Sequence, residues 1–214
     1  MLIKWIKCQV NEKNKSSFSN AQEGWGELKQ VDGFIGQIGG WDKNNPFEAG
    51  IISFWRDDRS YQAFMEQQHD EIFEKSNQRN TYSNISVHIY EKMFNISTTD
   101  MTDFLSKGSL LRVADCFVET NKQLEFKHMQ KEVWNKGMKA STGMLAGVFA
   151  EKKNGRYLVA SLWDKDRSHQ WYVDNKLPAL IQSSGVKDPA IRITGSLIKV
   201  NPKWIVFRLN LSCP

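Results

Sequence analysis

The hydrophobic and polar positions of this chain follow two periods, one typical of strands and one typical of helices. Residues 2–10 alternate between two faces, one with Leu2, Ile6, Cys8 and Val10 and the other with Ile3 and Trp5. Both faces are partly apolar, which indicates a strand that is buried on both sides. Residues 12–30 instead carry a helical stripe formed by Phe18, Ala21, Trp25 and Leu28.

The same periods predict the elements that follow. We expect strands over 33–41 and 47–55, a helix from Asp57 or Asp58 to about Lys75, and a strand over 83–94. The glycine-rich stretch 33–41 lacks both the GK[ST] sequence and the immediate helix of a phosphate loop, so it predicts a strand with close backbone approach. The resulting order, β-α-β-β-α-β, is the ferredoxin-like pattern.

One stretch of this pattern occurs twice. The sequence of residues 53–64 returns 108 residues later at 161–172, with Ser, Trp, Asp, Arg, Ser and Gln in register. The strand at 2–10 returns at 110–118, and the helix at 12–30 returns with one residue inserted before Trp134. We therefore predict the α+β class, with a first ferredoxin-like repeat at 1–95, a linker at 96–109, and a second repeat with a C-terminal extension at 110–214.

The two repeats are expected to pack on each other. Two helices cover only one face of a ferredoxin-like sheet, and the other, partly apolar face needs a partner sheet. The repeats would then form an intramolecular α/β barrel of the dimeric type, with the interior between the sheets as the natural ligand site. The expected state is a monomer with an internal pseudo-dimer, or a weak homodimer.

Composition places the chain among globular proteins. Of 214 residues 40% are hydrophobic, including eight Trp and twelve Phe, which supplies enough apolar area for a core. The longest apolar runs are too short for a membrane span, and the N-terminus lacks the features of a signal peptide, so we expect a cytoplasmic protein. Cys8, Cys116 and Cys213 are odd in number and widely spaced, which argues against a disulfide framework.

The charge is unevenly distributed along the chain. Residues 1–100 hold 11 basic and 14 acidic side chains, whereas residues 101–214 hold 18 and 10. Since no basic cluster exceeds two consecutive residues, we interpret the basic half as solvated surface rather than as an anion-binding face. We expect a small molecule as the partner. We expect neither a nucleic acid nor a membrane.

The repeated stretch has a strand that ends in Trp, and the helix after it starts with Asp-x-Arg-Ser-aromatic. It resembles the antibiotic-biosynthesis-monooxygenase-like group of the dimeric α/β barrel superfamily, and the chain over residues 1–200 is similar to the YdbC-like proteins of Bacillus. The resemblance implies the barrel fold, and activities that include cofactor-free monooxygenation and haem degradation. The haem-degrading pattern of Asn, Trp and His is not matched, because the Trp and His positions hold Phe64 or Tyr172 and Glu74 or Gln182. We expect no cofactor.

Histidines are the first candidates for chemistry. His69 lies at the edge of an apolar helix stripe, where it would serve as a general base or haem ligand, or would only cap the core. Its counterpart in the second repeat is Leu177, which confines such a site to one half. His88, beside Val87 on a strand, points either into the barrel or to an edge. The four His have no HxxxH or HxH spacing, so no metal site is predicted.

Aromatic and basic residues at the repeated stretch complete the candidate set. Trp55 and Trp163 would stack on an aromatic ligand or anchor the core, and Tyr61 would form a wall of the site. Arg59 occupies the first turn of a helix, where a cation is unfavourable, so it needs a partner: a carboxylate such as Asp57, or an anionic ligand.

These residues predict a small-molecule enzyme resembling cofactor-independent monooxygenases, which acts on an aromatic or quinol-like substrate. His69 would be the catalytic base, and the substrate-binding residues would be Trp55, Tyr61, Arg59, His88 and Trp163. Two alternatives stay open. One is a non-catalytic small-ligand-binding or stress-associated protein, and the other is a haem-binding protein with a non-standard ligand set.

Overall fold

The computed structural model describes residues 1–208, in which the chain divides into two compact units. The first unit contains residues 1–89 and the chain from Ile198 onward, and the second contains residues 90–197. The end of the predicted C-terminal extension, with Cys213, lies outside the described residues.

The first unit has the predicted order of elements. Its elements are β1 (Leu2–Gln9), α1 (Lys15–Glu23), β2 (Phe34–Asp42), β3 (Glu48–Trp55), α2 (Asp58–Gln67), α3 (His69–Ser76) and β4 (Asn84–Asn95). Strand β3 pairs antiparallel with both β1 and β2, and β4 lies beside β1. The sheet order is therefore β4-β1-β3-β2.

The second unit repeats this arrangement. Its elements are β5 (Leu110–Val118), α4 (Gln123–Met129), α5 (Asn135–Lys139), β6 (Met144–Lys152), β7 (Arg156–Trp163), α6 (Asp166–Asn175), α7 (Leu177–Ser184) and β8 (Ile191–Val200), and a short β9 (Val206–Phe207) follows in the first unit. Leu2 opposes Trp55 in the first sheet, and Leu110 opposes Trp163 in the second. The sequence offset of 108 is thus also the offset of the strand register. The α+β class and the tandem repeat are confirmed.

The compact units do not end where the repeats end, because the last strand of each repeat is long. From Tyr90 onward β4 belongs to the second unit, where Phe94 pairs with Phe149 of β6. From Ile198 onward β8 belongs to the first unit, where Val200 pairs with Gly40 of β2.

The helices are more broken than the sequence pattern predicts. The helix expected over 12–30 is α1 followed by a 3₁₀ helix, Gly24–Gln30, which begins at the first of the two glycines around Trp25. The helix expected from Asp57 to Lys75 is divided at Gln68, whose φ of −134° is not helical. This break makes His69 the first residue of α3.

The residue inserted before Trp134 has a local structural counterpart. Residues Gln130–Trp134 form a π-helix between α4 and α5. A π turn holds one residue more than an α turn, so it absorbs a single insertion without shifting the rest of the helix. The first unit has no insertion, and its corresponding segment remains α-helical and then 3₁₀.

The junction of β3 and α2 is fixed by a cap and a glycine. The Asp57 carboxylate accepts a hydrogen bond from the Ser60 backbone N–H at 2.7 Å, as predicted for a helix cap. Gly33, with φ of 76°, lies so close to Ser60 that a Cβ atom there would be 2.2 Å from the Ser60 Cβ. The position therefore requires glycine, both for its backbone angle and for its contact.

Candidate functional site

The first unit contains a cavity of about 390 Å³, here called the first-unit cavity. Its lining comes from the sheet (β1–β4), from α1 to α3 and from the adjoining loops, so it lies between the sheet and its own helices. From the sequence we expect the ligand site elsewhere, between the two sheets. The cavity instead lies on the helix-covered face of the sheet, where large aromatic side chains surround it.

Three polar side chains lie in one row across the sheet side of the cavity. Lys4 of β1 opposes Ser53 of β3, and Ser53 opposes Gln37 of β2. Residues in register on adjacent strands point to the same face of a sheet. All three line the cavity and are buried, with exposures of 9%, 3% and 4% for Lys4, Ser53 and Gln37. We call these three residues the polar row.

Lys4 is the unusual member of the polar row. Among the residues that the structure describes, its ammonium group has no carboxylate within ion-pair distance, and it lies over the Tyr61 ring, 5.4 Å from the ring centroid. Burial lowers the pKa of Lys4 from 10.5 to about 8, and the nearby Cys8 opposes this effect. A lysine in this state can carry a proton or release it near neutral pH.

Aromatic rings form the wall beside the polar row. The Trp55 ring stacks on Phe64 with centroids 4.7 Å apart, and it meets Tyr61 edge-on at 5.4 Å. The Trp55 indole N–H donates to the Ser53 hydroxyl at 3.2 Å. Burial raises the pKa of Tyr61, so its hydroxyl stays protonated at neutral pH. Trp55 therefore acts both as part of the core and as a wall of the cavity.

His69 lines the cavity from the first turn of α3. Its ring lies among Trp25, Phe64 and Phe73, at centroid distances of 5.6, 5.7 and 6.0 Å. The Nδ1 atom is 2.8 Å from the Asp70 carboxylate. A carboxylate can only accept, so in the neutral ring Nδ1 carries the hydrogen and Nε2 keeps its lone pair. This tautomer is the one that a general base uses.

A chain of hydrogen bonds fixes the helix side of the cavity. The Trp25 indole N–H donates to the side-chain oxygen of Gln78 at 2.8 Å. The side-chain NH₂ of Gln78 donates to the side-chain oxygen of Gln22 at 2.9 Å. Gln22 and Gln78 are both buried. This chain ties α1 to the loop after α3, and it holds Trp25 against His69.

Cys8 also lines the cavity but is not an activated nucleophile. Burial and the nearby Glu48 raise the pKa of its thiol to about 12, so the thiol is neutral at physiological pH. Ile85 and Val87 of β4 line the cavity and are about 40% exposed, at 43% and 41%. The cavity therefore opens to solvent along β4.

Three predicted site residues lie elsewhere. Arg59 is exposed and is not part of the cavity lining. The partner expected for it, Asp57, is bound instead by Arg56, which also pairs with Asp32 at 2.9 Å. His88 is half-buried on β4 outside the lining, and Trp163 is buried in the second unit, where it donates to Ser161. Of the predicted set, the first-unit cavity brings together His69, Trp55 and Tyr61.

The polar row was not predicted, although the sequence contains a signal for it. Lys4 has the same parity as the apolar residues Leu2, Ile6 and Cys8, so the alternation already places it on their buried face. A lysine on a buried strand face is rare and suggests a function. Gln37 carried no comparable signal, because it lies among glycines whose packing the sequence does not reveal.

Among its described residues, the second unit lacks an equivalent space between its own strands and helices at the corresponding position. The position that corresponds to the first-unit cavity holds only about 40 Å³, bounded in part by Arg112, Gln130 and Trp134. Gln130 and Trp134 belong to the π-helix described above. Such a volume admits no organic ligand, since ligand pockets typically enclose roughly 300–1,000 Å³.

Two kinds of feature are absent from the part of the chain that the structure describes. No group of three or more His, Cys, Asp or Glu side chains is arranged to hold a metal ion. No helix in this part of the chain combines the length and apolar character that crossing a membrane requires.

Sequence comparison identifies relatives for one repeat. Residues 2–90 match the family described as "Domain of unknown function (DUF4937)". YdbC of Bacillus subtilis, described as an uncharacterized protein, is 42% identical over 94 residues, which are 43% of this chain and 79% of YdbC. The likeness to YdbC-like proteins was expected over residues 1–200, but the match has the length of a single repeat.

Structural comparison extends the likeness to both repeats. A proposed monooxygenase of Lactobacillus acidophilus has a TM-score of 0.67 and 12% identity, with 97% of this chain and 96% of that chain covered. A proposed monooxygenase of Fusobacterium nucleatum has a TM-score of 0.70 and 12% identity, with coverages of 93% and 91%. An anthrone oxidase-like protein has a TM-score of 0.68 and 9% identity, with coverages of 94% and 91%. These neighbours are of the dimeric α/β barrel type, and at such identities they establish the fold alone.

Proposed function

We propose a function from the premise that this chain belongs to the family of YdbC, with its residues 2–90 matching DUF4937. It is a monooxygenase-like enzyme that acts on an aromatic, quinol-like compound. The structural neighbours include two proposed monooxygenases and an anthrone oxidase-like protein, which supports the reaction class. The reaction takes place in the first-unit cavity, and His69 is the catalytic base.

One observation carries this proposal: a cavity of about 390 Å³ with aromatic walls and a histidine in its lining. Flat aromatic compounds suit a space bounded by Trp55, Phe64 and Phe73, because ring–ring contacts add to the free energy of burial. His69 Nε2 is the ring nitrogen left with a lone pair, since Nδ1 is committed to Asp70. The cavity therefore combines a binding surface for a ring with a base.

The proposed reaction needs only substrate and O₂. Nε2 of His69 removes a proton from an acidic C–H group of the substrate, which leaves a carbanion. The carbanion reduces O₂, and recombination at the same carbon gives a hydroperoxide. Loss of the second C–H proton with cleavage of the O–O bond leaves a carbonyl, and the departing hydroxide takes up a proton to become water. A CH₂ group and O₂ thus yield C=O and H₂O, with the substrate as reductant.

Oxygen uptake tests the proposal. Purified protein would be incubated with anthrone and a panel of quinols in an oxygen electrode cell, and the products would be identified by mass spectrometry. We expect uptake with at least one of these compounds, and a loss of about 10²–10⁴-fold in His69→Ala, the range for removal of a general base. His128→Ala is the matched control, because His128 is an exposed histidine of the second unit.

The outcomes separate the candidate functions. Uptake that is the same in His69→Ala and in wild-type protein would remove the base assignment. Binding of the panel compounds without any uptake would instead indicate a non-catalytic ligand-binding protein.

A further inference from the structure

We propose that the polar row is an oxyanion site, at which Lys4 and Ser53, with Gln37 beside them, hold the phenolate or enolate oxygen of an aromatic ligand. The cavity would then select aromatic compounds that bind as monoanions. This inference deepens the proposed function, because it names the ionic state of the substrate and the residues that hold its oxygen.

The position of the row is fixed by the sheet. Lys4, Ser53 and Gln37 are in register on three adjacent strands, β1, β3 and β2. Side chains directly opposite on paired antiparallel strands have Cβ atoms about 4.5–5.5 Å apart. Three polar groups at this spacing on a rigid sheet can meet one ligand oxygen, whereas groups on a loop would have to be ordered first.

The row has hydrogen-bond donors to spare. The Lys4 ammonium carries three N–H donors, and the structure describes no carboxylate partner for them. The Ser53 hydroxyl accepts from the Trp55 indole, which leaves its own hydrogen available for donation. The Gln37 amide uses one N–H, in a long contact of 3.5 Å to the Trp204 carbonyl. Unused donors in a buried row favour an acceptor as occupant.

The charge balance of the cavity points the same way. Among the described residues that line it, one is a lysine and none is an aspartate or glutamate. A buried ammonium without a counter-ion is costly, and an anion beside it removes that cost. The binding energy of an anionic ligand therefore includes the relief of an unpaired buried charge.

The surroundings of the row limit the anion to a small one. The next residues along the strands on the same face, Ile6 and Ile51, are apolar and also line the cavity. A phosphate or sulfonate would bring further charged oxygens against these apolar side chains, where they would lose their hydration. A single phenolate or enolate oxygen is attached to a ring, which the walls of Trp55 and Phe64 can accept.

The second repeat shows that the row alone is not sufficient. Arg112 opposes Ser161, and Ser161 opposes Gly147, at the positions of Lys4, Ser53 and Gln37. The cation and the serine are therefore retained in the second repeat. The space that Arg112 lines is only about 40 Å³ and does not reach Ser161, so the described part of the second unit lacks the room for a ring beside its row.

A pair of matched probes tests the inference in wild-type protein. 4-Nitrophenol ionises near neutral pH, and its phenolate absorbs visible light, while 4-nitroanisole has the same ring with a methyl ether that cannot ionise. We expect 4-nitrophenol to bind at least about tenfold more tightly than 4-nitroanisole, since charge-assisted hydrogen bonds are the strong ones. We also expect its visible absorbance to titrate at lower pH when bound than when free. Equal binding of the two probes would overturn the inference.

Variants locate the interaction. Lys4→Met should weaken 4-nitrophenol binding by about tenfold to a hundredfold and leave 4-nitroanisole binding unchanged. Lys7→Met is the matched control, because Lys7 lies on the opposite face of β1 and pairs with Glu48. Lys4→Arg should retain part of the phenolate preference, and circular dichroism checks that each variant is folded. A Lys4→Met variant that keeps the full preference for the phenolate would contradict the assignment.

These measurements do not depend on turnover. 4-Nitrophenol has no acidic C–H group, so its binding reports on the polar row whether or not the protein consumes oxygen. Phenolate binding without oxygen uptake would support the oxyanion site and contradict the enzymatic proposal. Oxygen uptake without a phenolate preference would support the enzymatic proposal and contradict the oxyanion site.

Discussion

Lys4 and Ser53 lie directly opposite each other on β1 and β3, both buried at the sheet side of the first-unit cavity. Serine is neutral, so this pairing leaves the lysine charge uncompensated within the fold. A ligand can supply the missing charge, and until it does the folded state bears the cost. The same residue therefore links the stability of the protein to its function.

Replacement of Lys4 should raise stability. Burial lowers the pKa of Lys4 from 10.5 to about 8, a change that corresponds to on the order of 3 kcal/mol. The Lys4→Met variant keeps a long apolar side chain and removes the charge. We expect its free energy of unfolding at about pH 7 to exceed that of wild-type protein by ~2–3 kcal/mol, measured by urea denaturation.

The pH dependence of this difference has a definite sign. Between about pH 8 and 10.5 the unfolded chain holds the Lys4 proton and the folded chain has released it. The wild-type protein therefore gains stability as pH rises through this window, and the cost of burial is complete below pH 8 and absent above 10.5. The advantage of Lys4→Met should shrink across the window. An advantage that is constant with pH would show that Lys4 is not buried as a cation.

Gly33 should not tolerate a side chain. Its φ is 76°, and an added Cβ would lie 2.2 Å from the Cβ of Ser60, at the start of α2. We expect Gly33→Ala to lower the free energy of unfolding by ~2–4 kcal/mol, from backbone strain and overpacking together. Gly26→Ala is the control, because nothing lies within 4 Å of its added Cβ. Equal effects of the two substitutions would show that the Gly33 contact is unimportant.

The hydrogen-bond chain at the helix side of the cavity should contribute to stability. Gln78→Leu removes the acceptor of the Trp25 indole N–H and the donor to Gln22. We expect a loss of ~1–3 kcal/mol in urea denaturation, because the half-buried Trp25 N–H and the buried Gln22 side chain both lose their partner. Gln62→Leu, at an exposed position of α2, should change stability by less than ~0.5 kcal/mol. A loss no larger than in this control would mean that water satisfies both groups.

The second unit should not become a second site when its residues are changed to those of the first. His169→Tyr and Leu177→His together restore the side chains found at Tyr61 and His69, but they leave the residues around the space of about 40 Å³ at Arg112 unchanged. We expect calorimetry to give one 4-nitrophenol per chain for this double variant, as for wild-type protein. Two molecules per chain would show that side-chain identity, and not volume, excludes the ligand.

The fold was predictable because its signals are local and occur twice. The stretch around Trp55 returned at Trp163, and this single offset also described the strand register. The helix break at Gln68 was not predictable, since the apolar stripe continues across it and only the backbone angle shows the interruption. The compact units change within β4 at Tyr90 and within β8 at Ile198. This was not predictable, because hydrophobic alternation does not reveal which strands a long strand pairs with along its length.

Only the residues of the candidate site that lie in or near the repeated stretch were predicted, because the signals that identify them are local in the sequence. Trp55 was chosen because it recurs as Trp163, and His69 and Tyr61 were chosen because the second copy has Leu177 and His169 instead. Arg59 was chosen for its place in the first turn of a helix, but Arg56 makes the ion pairs there. Lys4 has the parity of a buried position, but its alignment with Ser53 and Gln37 follows only from the strand register, which joins residues far apart in the sequence.

The proposed reaction depends on removal of a proton from the substrate by His69 in the first-unit cavity. The direct measurement is the exchange of the anthrone methylene hydrogens for deuterium, followed by NMR in D₂O without oxygen. We predict that wild-type protein accelerates this exchange and that His69→Gln loses about 10²-fold or more of the acceleration. Exchange that is no faster with wild-type protein than in buffer, for anthrone bound in the cavity, would contradict the account.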